Sequence, residues 1–146
     1  MVNLYRMRQL MNRKTVSILW QIEQEQAKAT KVTTVITGMP RGGGQHDQVS
    51  SGAIKLAELK EVYSELIFEL ETMRNELAPL IDTLDNIELR AAMRLRYLKG
   101  YKPEQIADAI CLADRTIYRY LVKAENELCR NFPEKVIHGQ LPSSCQ

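Results

Sequence analysis

An apolar repeat in the middle of the sequence leaves few folds open to the chain. Between residues 56 and 87, apolar side chains alternate at spacings of three and four residues. The repeat consists of Leu56, Leu59, Tyr63, Leu66, Leu70, Met73, Leu77, Leu80, Leu84 and Ile87. Since an α-helix makes one turn in about 3.6 residues, this spacing puts all members on one stripe, as in a coiled-coil seam. Pro79 predicts a kink or restart near Ala78, because proline lacks a backbone donor and clashes with the preceding turn.

The seam needs a partner, and the sequence offers two. A helical stripe from Leu4 to Thr30 precedes it, and segment 33–52 between them holds five of the seven glycines, which predicts a mobile loop. Residues 1–32 hold six basic and two acidic residues, a net +4, whereas residues 53–88 hold three basic and nine acidic, a net −6. These charges favour a hairpin. A second copy of the chain, forming a homodimer through the Leu56–Ile87 seam, is the alternative, and the sequence leaves both open.

A compact helical module is predicted after the seam. Asp85 followed by Glu88 is typical of a capping box and predicts a helix start. We expect this helix to stop at Gly100, and Pro103 suits the first position of the next helix, where no amide partner is needed. The residues of the first helix expected to face inward are Leu89, Ala92, Met93 and Tyr97.

The stretch PEQIADAICLADRTIYRYLVKA, residues 103 to 124, has the pattern of a helix-turn-helix. Ala107 is the small residue at which two helices cross closely, and Cys111–Ala113 form the turn. Either Ala113 or Asp114 opens the second helix. The apolar positions that point into the core are Ile106, Ile110, Leu112, Ile117 and Tyr120.

Positive charge is concentrated in the same region. Residues 89–124 hold eight basic and three acidic residues, a net +5, which is favourable for contact with phosphates. Side chains at the start of a recognition helix lie in the major groove, where an arginine pairs with guanine or clamps a phosphate. The candidate DNA-binding residues are Asp114, Arg115, Thr116, Tyr118, Arg119 and Lys123 on the second helix, with Lys99, Lys102 and Arg94 as candidate phosphate contacts.

The segment LRAAMRLRYLKGYKPEQIADAICLADRTIYRYLVKAENEL resembles region 4 of the sigma-70 family of RNA polymerase factors. With the preceding helical hairpin and its GMPRGGG loop, the chain is more narrowly similar to the sigma-region-4-like late-gene transcription regulators of phages and prophages, the ArpU/RinA type. The resemblance implies binding to double-stranded promoter DNA and contact with host RNA polymerase. It covers residues 80–130 well and the N-terminal part only in architecture and loop composition.

Two positions depart from the pattern of that family. Cys111 replaces the turn glycine, so the turn must avoid a left-handed residue or accept strain. Ala113 replaces the usual serine cap, which weakens the helix start by about 1 kcal/mol unless Asp114 substitutes. We expect Cys111 to be buried as a small apolar side chain.

Other classes of protein are disfavoured by composition. There is no run of 18 apolar residues, and MVNLYRMRQLMNRK lacks the features of a signal peptide, so we expect a cytoplasmic protein that does not contact membranes. The resemblance to phage regulators implies that this cytoplasm is that of a bacterial host. Cys111, Cys129 and Cys145 form no CxxC pair, and His46 and His138 lie far apart in sequence, so neither a metal site nor a cofactor is predicted. No nucleophile–base pair or paired carboxylates stand out, so we expect no catalytic residues and no enzyme.

The sequence thus predicts an all-α protein that regulates transcription by binding specific DNA. Residues 1–84 form a helical hairpin or coiled coil with loop 33–52, residues 85–132 a DNA-binding helix-turn-helix module, and residues 133–146 a flexible tail. Two alternatives remain at this stage. One is a terminase small subunit, which also joins a helix-turn-helix to coiled-coil helices, and the other is a helical adaptor protein that does not bind DNA.

Overall fold

The computed structural model describes residues 1–35 and 46–139, and these residues are mostly helical. The helices are α1 (Leu4–Gln9), α2 (Thr15–Val35), α3 (His46–Ile81), α4 (Ile87–Met93), α5 (Pro103–Ile110) and α6 (Asp114–Asn131). Two π-helical segments, Leu10–Lys14 and Arg94–Leu98, follow α1 and α4. The predicted all-α class is confirmed.

The chain divides into two compact units. The first holds Met1–Met11 and Glu69–Gln146, and the second holds Asn12–Phe68. This division differs from the boundary predicted at residue 84, because the last turns of α3 are tied to the C-terminal helices. The Arg74 guanidinium donates to the Tyr97 carbonyl oxygen at 2.9 Å. The first unit is therefore built from both ends of the sequence.

The core of the first unit is formed by one face from each of its helices. Helix α6 packs against both α4 and α5. The inward placement predicted for the first module helix is confirmed, since Leu89, Ala92, Met93 and Tyr97 are at most 2% exposed. Helix α1 contributes to the same core. Leu4 and Met7 of α1 are fully buried, and so is Leu10, the residue that follows the helix.

Two short strands join the ends of the first unit. Strand β1 (Val2–Asn3) pairs in parallel with β2 (Val136–Ile137), with Val2 opposite Val136. The Val2 amide donates to the Lys135 carbonyl oxygen at 2.7 Å. The prediction of a flexible tail over 133–146 is therefore wrong for residues 133–139, because Val136 is buried in this pairing. Residues 140–146 lie outside the described residues.

Helix α2 ends later, and α3 begins earlier, than predicted. Helix α2 extends to Val35 and α3 begins at His46, so both ends of the expected loop 33–52 are helical. Gly52 costs about 1 kcal/mol relative to alanine inside a helix, which a helix of this length tolerates. Residues 36–45 lie outside the described residues. Within the second unit, Lys55 Nζ lies 3.3 Å from Glu25 Oε1, which links α3 to α2.

The seam is buried unevenly along α3. Members from Leu70 to Leu84 are at most 8% exposed, whereas those from Leu56 to Leu66 are half-buried. Ile87 was assigned to the seam wrongly. Because α3 ends at Ile81, Ile87 starts a new helix out of phase with the repeat and is 76% exposed. Helix α3 also continues through Pro79, so the expected restart near Ala78 does not occur.

The ends of α4 and α5 are set by short-range signals. Asn86, rather than the predicted Asp85, caps α4, because the helix begins one residue later than expected. The Asn86 side chain accepts from the Glu88 amide at 2.8 Å and from the Leu89 amide at 3.2 Å. Gly100 follows the π-helical segment at φ +78°, and Pro103 is the first residue of α5, as predicted.

Candidate nucleic-acid interface

The turn between α5 and α6 determines where the candidate DNA-binding residues of α6 lie. It consists of Cys111–Ala113, as predicted, and the Leu112 amide donates to the Ala107 carbonyl oxygen at 3.0 Å. Cys111 adopts φ 60°, ψ 43°, so the turn accepts a left-handed non-glycine residue at a cost of about 1 kcal/mol. Its side chain is exposed, and the expectation of burial is wrong because this conformation ends α5 at the surface.

Helix α6 begins without a side-chain cap. Ala113 occupies the capping position and its methyl group accepts no hydrogen bond, while Asp114 lies in the first turn. The packing of α5 on α6 nevertheless determines which side of α6 faces outward. Ile106 and Ile117 are fully buried and Ala107 is 3% exposed, as predicted. Three further positions predicted to face the core are half-buried, namely Ile110, Leu112 and Tyr120.

The outward side of α6 carries most of the predicted contact residues. Asp114, Arg115, Arg119 and Lys123 are exposed, whereas Thr116 is half-buried. One continuous open surface runs along the helix. It is lined by Arg115, Tyr118, Arg119, Val122, Lys123, Asn126, Glu127, Arg130 and Asn131. Sequence reasoning on the first turns missed the last four of these, although their helical spacing from Arg115 and Arg119 places them on the same side.

Lys99 and Lys102 lie outside that surface, in the connection before α5. Both side chains are exposed. The Lys102 amide donates to the Gln105 side chain at 2.9 Å, which holds the start of α5 and leaves the Lys102 ammonium free. Among the described residues, neither lysine forms an ion pair. Both remain available to an external anion.

Not every basic residue of this region is available. Arg96 is 6% exposed and donates to the Tyr101 carbonyl oxygen at 2.9 Å. Arg90 donates to the Leu84 carbonyl oxygen through Nε at 3.1 Å, and Arg94 pairs with Asp82. In the part of the chain that the structure describes, Arg115, Arg119 and Lys123 form no ion pair. The positive charge free to act is therefore concentrated on α6 and in the Lys99–Lys102 connection.

Tyr118 is held by a carboxylate from the neighbouring helix. Its hydroxyl donates to Glu104 Oε1 at 2.9 Å. This hydrogen bond raises the pKa of Tyr118 above its ordinary value. The pKa of Glu104 is lowered, first by its own backbone amide and then by Tyr118. Glu104 was not among the predicted site residues, because a partner 14 residues away shows no helical periodicity.

A buried polar cluster fixes the other side of α6. The Tyr97 hydroxyl donates to Glu125 Oε1 at 2.6 Å, and Arg8 Nη1 donates to both Glu125 oxygens at 3.0 Å. Burial, and next the Glu125 carboxylate, raises the pKa of Tyr97 well above its usual range. Arg8 comes from α1, so the cluster connects the N-terminal segment directly to the helix that carries the candidate contacts.

Residues 1–35 and 46–139 contain no group of three or more histidine, cysteine, aspartate or glutamate side chains placed to hold a metal ion. Over the same residues, every helix is too short or too polar to cross a lipid bilayer.

Comparison with known proteins gives one match. A family model described as "Protein of unknown function (DUF1492)" matches residues 33–129, which is more than half of the chain. No curated protein and no solved structure matches significantly. The chain therefore belongs to the DUF1492 family, and the matched range includes α5, the turn and nearly all of α6.

Proposed function

We propose that this member of the family is a sequence-specific DNA-binding transcription regulator. The observation that carries the proposal is the outward side of α6, where Arg115, Arg119 and Lys123 are exposed and form no ion pair with any described residue. Unpaired cations on one helix face are stabilised beside phosphates, because binding releases condensed counterions from the nucleic acid. The three-residue turn and the packing of α5 against α6, in which Ile106 and Ile117 are both fully buried, hold that face outward.

Helix α6 has the dimensions of a major-groove reader. Its 18 residues span about 27 Å at 1.5 Å per residue, and the groove is about 12 Å wide, which admits one helix. In the proposed complex the first two turns read base edges through Arg115, Thr116, Tyr118 and Arg119. Lys123, Lys99 and Lys102 contact phosphates, and Asp114 lies at the base-facing start of the helix. The mechanism is recruitment to a site and involves no catalysis.

The resemblance to sigma region 4 supports a more specific role. We infer that the protein acts in the cytoplasm of a bacterial host as a regulator of phage or prophage origin. There it binds a promoter and contacts host RNA polymerase, as region 4 of a sigma factor does. This inference is supported by the sequence resemblance, which extends over the residues that form α4, α5 and α6.

A DNA-packaging role, as in a terminase small subunit, is the second candidate. The observation favouring it is the number of large apolar side chains exposed in the second unit, among which Trp20 and Ile54 are each 60% exposed and Val62 is 44% exposed. Such residues are frequent where subunits assemble. Mass measurement in solution separates the two functions, since a large ring supports packaging, whereas a monomer or dimer supports the regulator.

The proposal is tested by binding and mapping. Mapping of bound DNA in the host is expected to recover a promoter upstream of phage late genes, and the recovered fragment then serves in fluorescence anisotropy at several salt concentrations. Arg119→Ala is expected to weaken specific binding by about 1–3 kcal/mol while leaving unrelated duplexes less affected. Equal weakening on all duplexes would mark Arg119 as a phosphate contact.

Lys60→Ala is the matched control, because Lys60 is an exposed lysine of α3 in the second unit. Its affinity for the recovered fragment is expected to equal that of the unmodified protein. If no duplex binds at any salt concentration, DNA binding is refuted and the adaptor alternative is favoured.

A further inference from the structure

Two apolar side chains interrupt the basic surface of α6. Tyr118 is 49% exposed and Val122 is 56% exposed. They are the two apolar members of the open surface that runs from Arg115 to Asn131. Four residues apart, they are neighbours on one helix face. Apolar area at this place, surrounded by polar and charged side chains, calls for a ligand that is itself partly apolar.

Tyr118 offers its aromatic ring, rather than its hydroxyl group, to an external ligand. Its hydroxyl already donates to Glu104 Oε1 at 2.9 Å, so the hydroxyl hydrogen is not free to pair with a base. The same hydrogen bond ties the far end of the side chain to α5 and restricts its rotation. Glu104 thus acts as a positioning residue, and what Tyr118 offers outward is carbon surface.

The charges around this pair identify the ligand class. Arg115, Arg119 and Lys123 flank Tyr118 and Val122 along α6, and none of them forms an ion pair with a described residue. The complementary partner is a polyanion with an apolar group accessible to a helix. In the major groove of DNA that group is the C5-methyl of thymine, the one apolar feature among the base edges.

We propose that Tyr118 and Val122 contact thymine methyl groups and so make the protein select thymine at two positions of its site. The inference rests on the proposed DNA-binding function and adds the base that is selected. Four residues of α-helix rise about 6 Å, and base pairs stack about 3.4 Å apart. Because a helix in the major groove follows the groove rather than the duplex axis, the two thymines are expected about one to two base-pair steps apart.

The test replaces thymine by deoxyuridine, which removes the methyl group and leaves the hydrogen-bonding edge unchanged. A site is first selected with the full chain from a pool of random duplexes, and each thymine is then replaced singly. Two replacements, about one to two steps apart, are expected to weaken binding about fourfold each, the fold-change that one buried methyl group supports. Replacements elsewhere in the site are expected to have no effect.

Variants assign the two positions. Val122→Ala is expected to abolish the deoxyuridine effect at one position and Tyr118→Ala at the other. Tyr118→Phe keeps the ring but removes the hydrogen bond to Glu104, so it is expected to retain the deoxyuridine effect that Tyr118→Ala abolishes, at reduced size. Both side chains are exposed, so these variants are expected to fold, which circular dichroism checks. A 5-methylcytosine–guanine pair would also present a methyl group, but it changes the hydrogen-bonding edge of the base pair as well. The deoxyuridine series changes the methyl group alone and is therefore the decisive measurement.

The two hypotheses fail in different ways. If the protein selects a site but tolerates deoxyuridine at every position, the methyl contact is refuted and DNA binding stands. The same conclusion follows if the deoxyuridine effect persists unchanged in both alanine variants. If the pool yields no bound duplex, the proposed function itself is refuted.

Discussion

Replacement of Glu125 by alanine is expected to destabilise the first unit by about 3 kcal/mol. The Glu125 side chain is 10% exposed and accepts from the Tyr97 hydroxyl at 2.6 Å. Its loss leaves a buried hydroxyl hydrogen without an acceptor, at about 1–3 kcal/mol. Arg8 also loses its carboxylate, but its side chain is 32% exposed and is partly rehydrated, so this loss adds only about 1 kcal/mol.

Urea unfolding followed by far-ultraviolet circular dichroism measures this change. Glu125→Gln keeps an acceptor for Tyr97 and removes only the charge, so it is expected to cost about half as much as Glu125→Ala. Glu127→Ala is the matched control two residues further along α6, where the side chain is half-buried and lines the outward surface. It is expected to change stability by less than about 0.5 kcal/mol.

The outcome that contradicts this account is a Glu125→Ala variant as stable as the Glu127→Ala control. It would mean that the Tyr97–Glu125–Arg8 cluster contributes no net free energy. A buried charged cluster has that property when the desolvation of its members cancels their mutual attraction. In that case Arg8→Ala would also be close to neutral, and α1 would be held by its buried apolar side chains and the Arg6–Glu69 ion pair.

Three further changes test the same unit. Because the Tyr97 pKa is raised from its ordinary value of 10.0, the protein loses stability as the pH rises above about 10, and Tyr97→Phe is expected to lose less over that range in urea titrations. Cys111→Gly removes the left-handed strain at φ 60° and is expected to stabilise by about 1 kcal/mol, whereas Cys111→Val is expected to destabilise. Ala113→Ser supplies the missing cap of α6 and is expected to add about 1 kcal/mol, with no gain if Asp114 already caps the helix in solution.

Elements with strong local signals were predictable from the sequence. Gly100, Pro103 and the three-residue turn at Cys111 mark the ends of helices, and the structure places those ends where they were expected. The apolar spacing around Ile106 and Ile117 also predicted which side chains are buried. These signals depend on residues close together in sequence, so the structure that they specify does not depend on distant parts of the chain.

Contacts between distant parts of the chain were not predictable in the same way. The pairing of Val2 with Val136, and that of Arg8 with Glu125, join residues more than a hundred positions apart. A two-residue strand shows no period-2 pattern, and a lone arginine in an amphipathic helix is indistinguishable from a solvated one. For the candidate site, exposure of Arg115 and Arg119 followed from helical phase, whereas the tether of Tyr118 by Glu104 depends on how α5 crosses α6.

The discontinuous first unit has a consequence for how the protein is made. Leu4, Met7 and Leu10 leave the ribosome before Leu70 and the residues that follow it, yet they are fully buried in a core that includes those later residues. Since translation adds about 5–20 residues per second, β2 is synthesised on the order of ten seconds after these apolar side chains. The segment Asn12–Phe68 emerges during that interval. A fragment that starts at residue 85 would lack both α1 and the end of α3, so tests of the proposed DNA binding require residues 1–139 rather than the C-terminal half alone.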